Sequence, residues 1–383
     1  SPFGITTTYS LTVMPMVIFM GMILSNSDVS KELFRVANEW VGHFRAGLGI
    51  ATVGASAIFS SISGSNVATT ATMARVALPE MKNYDYHPAL STGFIAAGGS
   101  LGNLIPPSVT LILYGIITME PIGPLLIAGF IPGVILAILF MLTGYLRVLF
   151  NPSLAKTSEQ KVRLSTKLLS LLKVSPILII FIISIGGIYY GIFTPTEAGG
   201  VGAFSALAYC IIKRKLSWKQ FLESLNETVR LTAVIFIILI GAELFGQFLT
   251  ITGLPVTIAN LVASLEVSNY VILLGIFLLY IILGLFMESI PIMVLTLPIV
   301  YPLVIDLGFD GIWFGIVMTL LINIGFLTPP FGMSIFVIHG IARDIPIPTI
   351  FRGALPMAIT IFVFAVILVL IPEIVTFLPN AMK

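Results

Sequence analysis

Oxygen-bearing side chains interrupt two otherwise apolar stretches of the sequence. The first interruption, tip 1, has small and polar residues at its centre: Ser63, Gly64, Ser65 and Asn66. The second, tip 2, covers residues 288–291 and begins with Glu288 and Ser289. Hydroxyl, amide and carboxylate oxygens are hard ligands for a small cation, and hydroxyl and amide groups also donate hydrogen bonds to an anion. We predict that each tip is the turn of a helical hairpin and binds an ion or a polar cargo.

Double prolines divide two long charge-free stretches. Pro106-Pro107 and Pro329-Pro330 each lie near the middle of such a stretch, which is 32 residues long, whereas about 20 residues span a bilayer as one straight helix. Because proline lacks the backbone donor and does not fit a helix interior, each stretch should form two half-helices around an unwound segment. The unwound segments, break 1 (102–107) and break 2 (325–330), also hold Gly102, Asn103, Gly325 and Thr328.

The tips and breaks recur in the same order. In each half of the chain a tip is followed about 41 residues later by a break, and the sequence Gly-Phe-Ile-Pro at 129–132 corresponds to Gly-Ala-Leu-Pro at 353–356. The first half ends in the basic segment 151–173, whereas residues 373–383 contain a single lysine, Lys383. Because lysine and arginine collect on the cytoplasmic side, the halves should end on opposite sides of the membrane. The repeat is therefore predicted to be inverted.

The composition requires a lipid environment. Hydrophobic residues make up 57% of the 383 residues and charged residues only 9%, against about 25% in a typical soluble domain. The net charge of +2 gives no indication of a nucleic-acid partner, and the single cysteine, Cys210, excludes a disulfide framework. The predicted fold is an all-α polytopic membrane protein of two inverted repeats, each with a re-entrant helical hairpin and a discontinuous helix. This is the architecture of secondary transporters.

The tips and breaks should leave backbone groups free around a cavity near the middle of the bilayer. Carbonyls freed at the C-terminal ends of half-helices attract a cation, and N–H groups freed at N-terminal ends attract an anion. The predicted ion ligands are the tip and break residues Ser63, Gly64, Ser65, Asn66, Gly102, Asn103, Glu288, Ser289, Gly325 and Thr328. The predicted cargo-binding residues are Ser65, Asn66, Thr69, Pro106, Pro107, Ser289, Pro329 and Pro330. The spacing alone does not distinguish Na⁺ from H⁺.

Two other function classes fit the sequence less well. An intramembrane hydrolase would use Ser63 or Ser65 as its nucleophile, but no histidine lies near either tip and no Ser–Lys pair is evident. A passive channel is disfavoured because paired repeats favour alternating access. Two ionisable residues keep two interpretations each: Glu243 is functional or bonds a neighbouring helix, and Arg75 attracts anions or extends to the membrane interface.

Several motifs together resemble the large membrane subunit of tripartite ATP-independent periplasmic (TRAP) transporters. They are Ile-Tyr-Tyr-Gly-Ile-Phe-Thr-Pro-Thr-Glu-Ala at 188–198, Ser-Gly-Ser of tip 1 with Ala-Thr-Thr at 68–70, Leu-Gly-Asn-Leu-Ile-Pro-Pro-Ser at 101–108 and Gly-Phe-Ile-Pro-Gly at 129–133. The resemblance covers essentially the whole chain. Many family members have Gly-Ser-Gly-Pro at the first tip, from which tip 1 of this chain departs.

The resemblance implies an elevator-type secondary transporter of the ion-transporter superfamily, not an enzyme, in the bacterial inner membrane. It implies two or more Na⁺ ions per cargo, no organic cofactor, and a small organic anion such as sialic acid or a C4-dicarboxylate as cargo. The implied partners are a small membrane (Q) subunit, a periplasmic substrate-binding (P) protein and lipid, and a further helix is expected before residue 1. The alternative is a Na⁺/dicarboxylate elevator carrier that works without a binding protein.

On this basis the chain divides into scaffold and transport segments. The predicted segments are a scaffold helix with an interfacial arm (1–45), the first half of the transport domain (46–120), scaffold helices with a cytoplasmic linker (121–230), further scaffold helices (231–266), the second half of the transport domain (267–345) and a C-terminal scaffold helix (346–383). The amphipathic stretches 28–45 and 216–230 should form separate interfacial helices.

Overall fold

The protein is helical throughout the part that the structure describes. A computed structural model covers residues 9–155, 163–254, 257 and 267–382, and no β-strand occurs among them. By length and composition, 6 of the described helices can cross a membrane, or up to 7 if a pair bent by 69° counts as one span. The chain is therefore an all-α polytopic membrane protein, as predicted.

The described residues form a succession of α-helices. In chain order they are α1 (Val13–Asn26), α2 (Val29–Val41), α3 (Gly47–Ser63), α4 (Asn66–Asn83), α5 (Pro88–Ser100), α6 (Val109–Thr118), α7 (Ile122–Ala128), α8 (Phe130–Phe150), α9 (Leu164–Tyr189), α10 (Pro195–Ile212), α11 (Trp218–Thr252), α12 (Asn269–Phe286), α13 (Ser289–Asp306), α14 (Gly311–Leu327), α15 (Met333–Ile341), α16 (Ile347–Leu370) and α17 (Glu373–Ala381). The bent pair is α1 with α2, so α2 leaves the direction of the spanning helix as an arm.

Hairpin 1 consists of α3 and α4 joined at tip 1, and hairpin 2 consists of α12 and α13 joined at tip 2. α3 ends where Gly64 takes a left-handed φ of 58°, and α4 begins after Ser65, whose hydroxyl accepts a hydrogen bond from the N–H of Ala68. A Cβ atom at Gly64 would lie 2.5 Å from the Pro107 carbonyl oxygen. Tip 1 therefore requires glycine both for its backbone conformation and for its contact with break 1.

Both proline pairs separate two helices. Between α5 and α6 the chain forms a short 3₁₀ turn, and the Pro106–Pro107 peptide bond is cis. Between α14 and α15 the Pro329–Pro330 bond is cis, and Gly332 takes a left-handed φ of 56° before α15 begins. Since prolines donate no backbone hydrogen bond, the last carbonyls of α5 and α14 are not all used by their own helices.

At one end of the molecule, basic side chains link neighbouring helices to one another. Lys215, between α10 and α11, forms an ion pair with Glu32 of α2, and Lys167 near the start of α9 donates to the last turn of α2 at 3.0 Å. Lys82, near the end of α4, forms an ion pair at 3.0 Å with Asp344, which lies between α15 and α16. We assign this end, the basic face, to the cytoplasm because lysine and arginine collect on that side.

At the opposite end, hydrogen bonds of tyrosine, tryptophan and acidic side chains link the helices. The Tyr301 hydroxyl of α13 donates a hydrogen bond at 2.5 Å to Glu120, which lies just before α7. The Trp313 indole of α14 donates a hydrogen bond at 2.8 Å to the Leu368 carbonyl of α16. Asn269, which starts α12, donates to the residue after α13 at 3.0 Å. Hairpin 1 therefore opens on the basic face and hairpin 2 on the opposite face. An inverted repeat requires this arrangement, while the repeat relation itself stays a prediction.

The helices pack as two groups. In the first, α1, α9, α10 and α11 pack against one another, and in the second the hairpins pack on the broken helices. α8 and α16 belong with the second group: α16 lies along α5 so closely that a Cβ on Gly353 would be 1.8 Å from the Ala89 carbonyl oxygen. Phe94 of α5 fills the space beside Gly49 of α3 and Gly144 of α8.

Three predicted segments have different bounds in the structure. The stretch 216–230 is not a separate interfacial helix but the first part of α11, since Ser217 and Gln220 cap the helix start and no Gly or Pro follows before residue 241. The predicted boundary at 230 therefore falls inside one helix. α9 begins at Leu164, within the predicted linker 151–173. The segment 346–383 forms two helices because Pro372 ends the first one.

Some predictions fall outside the described residues. They concern residues 1–8 of the predicted first scaffold segment, residues 156–162 of the predicted basic linker with Lys156 and Lys161, residues 255–256 and 258–266 of the second scaffold segment, and Lys383. The remaining part of each of these segments is described. Among the described residues, Lys82, Lys167 and Lys215 give the basic face its positive charge.

Candidate functional site

A cavity of about 150 Å³, the tip cavity, lies between the two groups of helices. Its polar wall comes from the tips, break 1 and the start of α6, and includes Ser63, Gly64, Ser65, Asn66, Asn103, Thr110, Glu288 and Ser289. Its opposite wall is apolar and comes from α1 and α11, with Ile18, Met22 and Ile235 among its residues. The structure therefore brings most of the predicted ion ligands together around one space.

Hydrogen bonds within and beyond hairpin 1 hold tip 1 in place. The hydroxyl oxygens of Ser63 and Thr69 lie 2.8 Å apart, and both residues are buried. The Asn66 Oδ1 atom accepts hydrogen bonds from Thr70 at 3.0 Å and from Ser334 of α15 at 3.1 Å. The buried Asn66 Nδ2 has no hydrogen-bond partner among the described atoms. Because an unpaired buried donor costs about 1–3 kcal/mol, an acceptor atom of a ligand would stabilise this amide.

Asn103 of break 1 joins the two halves of the chain. Its Oδ1 atom accepts a hydrogen bond from the Asn66 N–H at 3.4 Å, and its Nδ2 atom donates to Ser289 Oγ at 3.2 Å and to Asn323 Oδ1 at 3.1 Å. Asn323 in turn donates to the Ser100 carbonyl at the end of α5, at 3.0 Å. One buried amide thus positions tip 1, tip 2 and α14 relative to break 1.

Asn323 and Ser334 were not predicted from the sequence. Asn323 is fully buried and bonds Asn103, while Ser334 is 2% exposed and bonds Asn66. Neither residue belongs to a cluster of small or polar residues like those of the tips. The signal that was available is the rarity of an amide inside an apolar membrane helix, since such residues are functional candidates by default.

Tip 2 presents one exposed and one buried polar side chain. Glu288 is exposed, lines the tip cavity and does not cap α13 through its carboxylate. Ser289 is buried and accepts the hydrogen bond from Asn103. The carboxylate is therefore available to a ligand in the cavity, whereas the hydroxyl already helps to fix tip 2 against break 1.

Break 2 contributes only the buried Phe326 to the described lining of the tip cavity. The Thr328 hydroxyl donates to the Ile324 carbonyl of its own helix at 2.9 Å, and Pro329 and Pro330 are exposed. Gly325 packs against α12, the first helix of hairpin 2: a Cβ at Gly325 would lie 2.2 Å from the α12 backbone. The predicted ligands in break 2 thus approach hairpin 2 but not the space between the tips.

The remaining predicted residues contact or lie near tip 1 outside the tip cavity. Pro106 and Pro107 are buried and do not line the tip cavity, and Thr69 contacts it only through Ser63. A Cβ on Gly102 would lie 2.5 Å from the Ser65 carbonyl oxygen, so break 1 and tip 1 touch through their backbones. These residues shape the site without facing its centre.

The tip cavity combines helix ends with oxygen ligands. α4, α6 and α13 begin beside it, and each helix N-terminus carries roughly half a positive charge and free N–H groups. Its described lining contains one carboxylate, Glu288, and no Lys, Arg or His. Across the described chain no group of three or more His, Cys, Asp or Glu side chains could hold a metal ion. Hydroxyl, amide and carbonyl oxygens suit a hard cation such as Na⁺.

Comparison with known proteins identifies sequences that are similar along nearly the whole chain. A family model described as "Tripartite ATP-independent periplasmic transporter, DctM component" matches residues 3–374. The C4-dicarboxylate TRAP transporter large permease protein of Pseudomonas aeruginosa is 35% identical over 97% of this chain and 86% of its own length. The sialic acid TRAP transporter large permease protein of Vibrio cholerae is 33% identical, with the same coverage of 97% and 86%.

A solved structure has a similar fold. The crystal structure of the YdaH transporter of Alcanivorax borkumensis matches with a TM-score of 0.70, covering 96% of this chain and 86% of that chain. The two sequences are 16% identical, so the likeness concerns the fold alone. With this coverage, the match includes both groups of helices described above.

Proposed function

The chain belongs to the TRAP transporters as their DctM component, the large permease subunit, and on that premise we propose that it is a Na⁺-coupled importer of a small organic acid. Since the family consists of transporters, the chain is a transport protein and not an enzyme. In the proposed cycle, the hairpins and broken helices carry the cargo across the membrane as a moving body. The cargo arrives from a periplasmic binding protein and leaves at the basic face.

The charge balance of the tip cavity is the observation that carries this proposal. Hydroxyls, amides, three helix N-termini and the carboxylate of Glu288 line it, and no basic side chain does so among the described residues. An organic anion beside Glu288 is repelled by about 4 kcal/mol at 4 Å for an effective dielectric constant of 20. Bound Na⁺ removes this repulsion, so cation and anion favour each other's binding, which is the basis of coupled transport.

We propose two Na⁺ positions. The first uses the hydroxyl and carbonyl oxygens of tip 1 together with the backbone of break 1 near Gly102 and Asn103. The second lies near Glu288 and uses the carbonyls that the proline pair frees at the end of α14, near Gly325 and Thr328. The cargo carboxylate would bind between them, at the N-terminal ends of α4 and α13 with Ser65, Asn66 and Ser289.

The elevator motion is supported by the contrast between the two walls of the cavity. The wall formed by α1 and α11 is apolar, with residues such as Met22 and Ile235, so at the tips it can slide without breaking hydrogen bonds. Outside the cavity, the hydrogen bond between the hydroxyls of Ser25 on α1 and Thr72 on α4, at 3.2 Å, would have to break. We assign α8 and α16 to the moving body, although the sequence placed them in the scaffold, because they pack on α3 and α5. The fixed group then comprises α1, α9, α10 and α11, with α2 as the arm that connects it to hairpin 1.

A compact acid is the cargo we favour. The similar proteins are named for C4-dicarboxylates and for sialic acid, which differ greatly in size. The tip cavity of about 150 Å³ is below the roughly 300–1,000 Å³ of pockets for drug-sized ligands. A C4-dicarboxylate or a similar short acid therefore fits better than a nine-carbon sugar acid.

We propose the partners that this family uses. They are a small membrane subunit and a soluble periplasmic substrate-binding protein, which together with this chain would operate in the bacterial inner membrane. The acidic end of the molecule, with Glu120 and Glu373, would face the periplasm because the basic face lies in the cytoplasm. The binding protein would then dock at this acidic end.

Uptake into proteoliposomes tests the proposal. The chain is reconstituted with its small membrane subunit, the binding protein is added outside with labelled C4-dicarboxylate or sialic acid, and an inward Na⁺ gradient is compared with an equal K⁺ gradient. We expect uptake of the short acid with Na⁺ only. Equal uptake with K⁺ would remove the coupling, and Na⁺-driven uptake without the binding protein would favour the alternative, a self-sufficient Na⁺/dicarboxylate carrier.

A further inference from the structure

A second cavity, of about 450 Å³, opens on the basic face, away from the tips. It lies between α4, the start of α5 and the segment that joins α15 to α16. Its apolar floor includes Leu78, Ile341 and Ile345, and its ionisable lining residues are Arg75, Lys82 and Asp344. The cavity thus joins an apolar surface to a cluster of charges at the level of the membrane–cytoplasm interface.

The two cations of this cavity lie on one face of α4. Arg75 and Lys82 are seven residues apart, close to two helical turns and about 10 Å along the axis. Arg75 is exposed and makes no ion pair or hydrogen bond among the described residues, whereas Lys82 pairs with Asp344 at 3.0 Å in an exposed bridge. With two cations and one carboxylate, the ionisable side chains that line the cavity carry one net positive charge.

An anionic headgroup matches this pattern. A phosphate between the two cations would accept hydrogen bonds from the Arg75 guanidinium and from the Lys82 ammonium, which has donors beyond the one used by Asp344. The long arginine side chain can extend from its depth in hairpin 1 towards the interface, where such a phosphate lies. An acyl chain attached to the same molecule would cover Leu78, Ile341 and Ile345, which water solvates poorly.

We propose that this cavity binds an anionic phospholipid of the phosphatidylglycerol type, with its phosphate between Arg75 and Lys82. Basic pockets between membrane helices on the cytoplasmic side are suited to such headgroups. The bound lipid would connect hairpin 1 to the segment after α15, so it would join the two halves of the moving body at the surface. A free phosphate ion shares the headgroup chemistry but makes no use of the apolar floor.

Direct lipid binding to the full chain tests this proposal. The purified protein in neutral detergent is titrated with short-chain phosphatidylglycerol, with phosphatidylcholine of the same chain length and with inorganic phosphate, and bound lipid is counted by native mass spectrometry. We expect phosphatidylglycerol to bind best. Equal binding of phosphatidylcholine would overturn the proposal, and so would inorganic phosphate that displaces the lipid at equal concentration, because a free anion would then be the ligand.

Three substitutions make the test specific. Arg75→Gln and Lys82→Gln should each weaken phosphatidylglycerol binding about fivefold, whereas Asp344→Asn should strengthen it by a similar factor because it removes the opposing charge. Lys219→Gln, at an 87% exposed lysine on α11, is the matched control and should change nothing. If Arg75→Gln does not fold, Asp344→Asn decides alone, and unchanged or weaker binding in that variant overturns the proposal.

Discussion

Breaks 1 and 2 share a double proline with a cis bond and follow their tips at the same distance, yet their surroundings differ. Break 1 is buried, and its backbone is held by Ser108, which donates to the Asn103 carbonyl at 2.6 Å. In break 2, Pro329 and Pro330 are exposed, and Thr328 bonds only carbonyls of its own helix. The same sequence motif therefore forms an internal joint in one half and a surface in the other.

This difference indicates how the two halves divide their roles. Unwound backbone is not tolerated against lipid, so the exposed residues of break 2 must face water or another protein surface. Break 1 instead uses its polar groups to connect tip 1, tip 2 and α14 through Asn103. The first half therefore holds the geometry of the site through Asn103, whereas the double proline of the second half lies at the surface.

Alanine at the glycine of tip 1 should have the largest effect. Gly64→Ala adds a left-handed strain of about 1–2 kcal/mol and a Cβ only 2.5 Å from the Pro107 carbonyl oxygen, so we expect a loss of more than ~3 kcal/mol and no uptake. Gly332→Ala, beside break 2, meets mainly side-chain atoms at 2.9 Å and should cost less. The measurements are thermal unfolding in detergent and uptake.

Gly253→Ala is the control for conformational strain. Gly253 also has a positive φ, of 66°, but no atom of the described residues lies within 4 Å of the position that a Cβ would take. The Gly253→Ala variant should be destabilised only by the left-handed strain of about 1–2 kcal/mol, and its uptake should be unchanged. Equal losses for the variants at Gly64, Gly332 and Gly253 would show that the packing of tip 1 against break 1 has no special role.

Removal of the Asn103 amide should have the next largest effect. Asn103→Ala leaves the Asn66 N–H and the polar groups of Ser289 and Asn323 without this partner, which we expect to cost about 2–4 kcal/mol and at least tenfold in Na⁺-driven uptake. Thr328→Ala in break 2 removes bonds only within α14, so uptake should fall by less than about threefold. If both variants behave alike, the proposed division of roles between the breaks is wrong.

A smaller effect is expected at tip 2. Glu288→Gln removes the one carboxylate in the described lining of the tip cavity and should raise the Na⁺ concentration for half-maximal uptake about tenfold, equivalent to about 1.4 kcal/mol of cation binding. The folded structure should tolerate the change because the Glu288 side chain makes no capping hydrogen bond to α13. Glu373→Gln, on α17, is the control, and an unchanged Na⁺ dependence at Glu288 would move the ion elsewhere.

The smallest effect concerns the exposed bridge between hairpin 1 and the segment after break 2. The hydrogen bond from Lys82 lowers the pKa of Asp344, so its contribution to stability is present above the unfolded pKa and is lost as the pH falls through the lower folded pKa. Asp344→Asn should lower the unfolding midpoint by no more than about 2 °C at pH 7. The difference should shrink below the ordinary Asp pKa of 3.8, disappear below the lowered folded pKa, and be screened in 1 M salt. A large, salt-independent change would mean that the bridge is a main link between the halves.

Much of the site could be predicted from residue types alone. In an apolar chain, polar clusters and double prolines are rare enough to identify both tips and both breaks, and the structure places tip 1, Asn103 and tip 2 around one cavity. Asn323 and Ser334 were not predicted because each lies alone in an apolar helix. Only the three-dimensional structure shows their hydrogen bonds to Asn103 and Asn66. That Gly325, Thr328 and the double proline of break 2 do not line the cavity also depends on packing, which the local sequence does not encode.

The predicted fold class was confirmed, but the grouping of helices required the structure. α8 and α16 are long and apolar enough to cross the membrane by themselves, and only three-dimensional contacts, such as those of Gly353 with Ala89 and of Trp313 with Leu368, show that α16 lies on the broken helices. In α11, the charged stretch and the apolar stretch are joined without a helix-breaking residue, so the change in polarity did not mark a helix end. Polarity patterns report the solvent around a segment, whereas helix ends depend on caps, glycine and proline.

The exposed carboxylate of Glu288 has a consequence for energetics in a living cell. Under the proposed cycle the moving body returns empty, and an ionised Glu288 then travels outward with it through part of the transmembrane field. Moving one elementary charge through 100 mV changes the free energy by about 2.3 kcal/mol. A negative charge that moves away from a negative interior is driven by the membrane voltage, so the voltage would reset the unloaded carrier without any help from the sodium gradient.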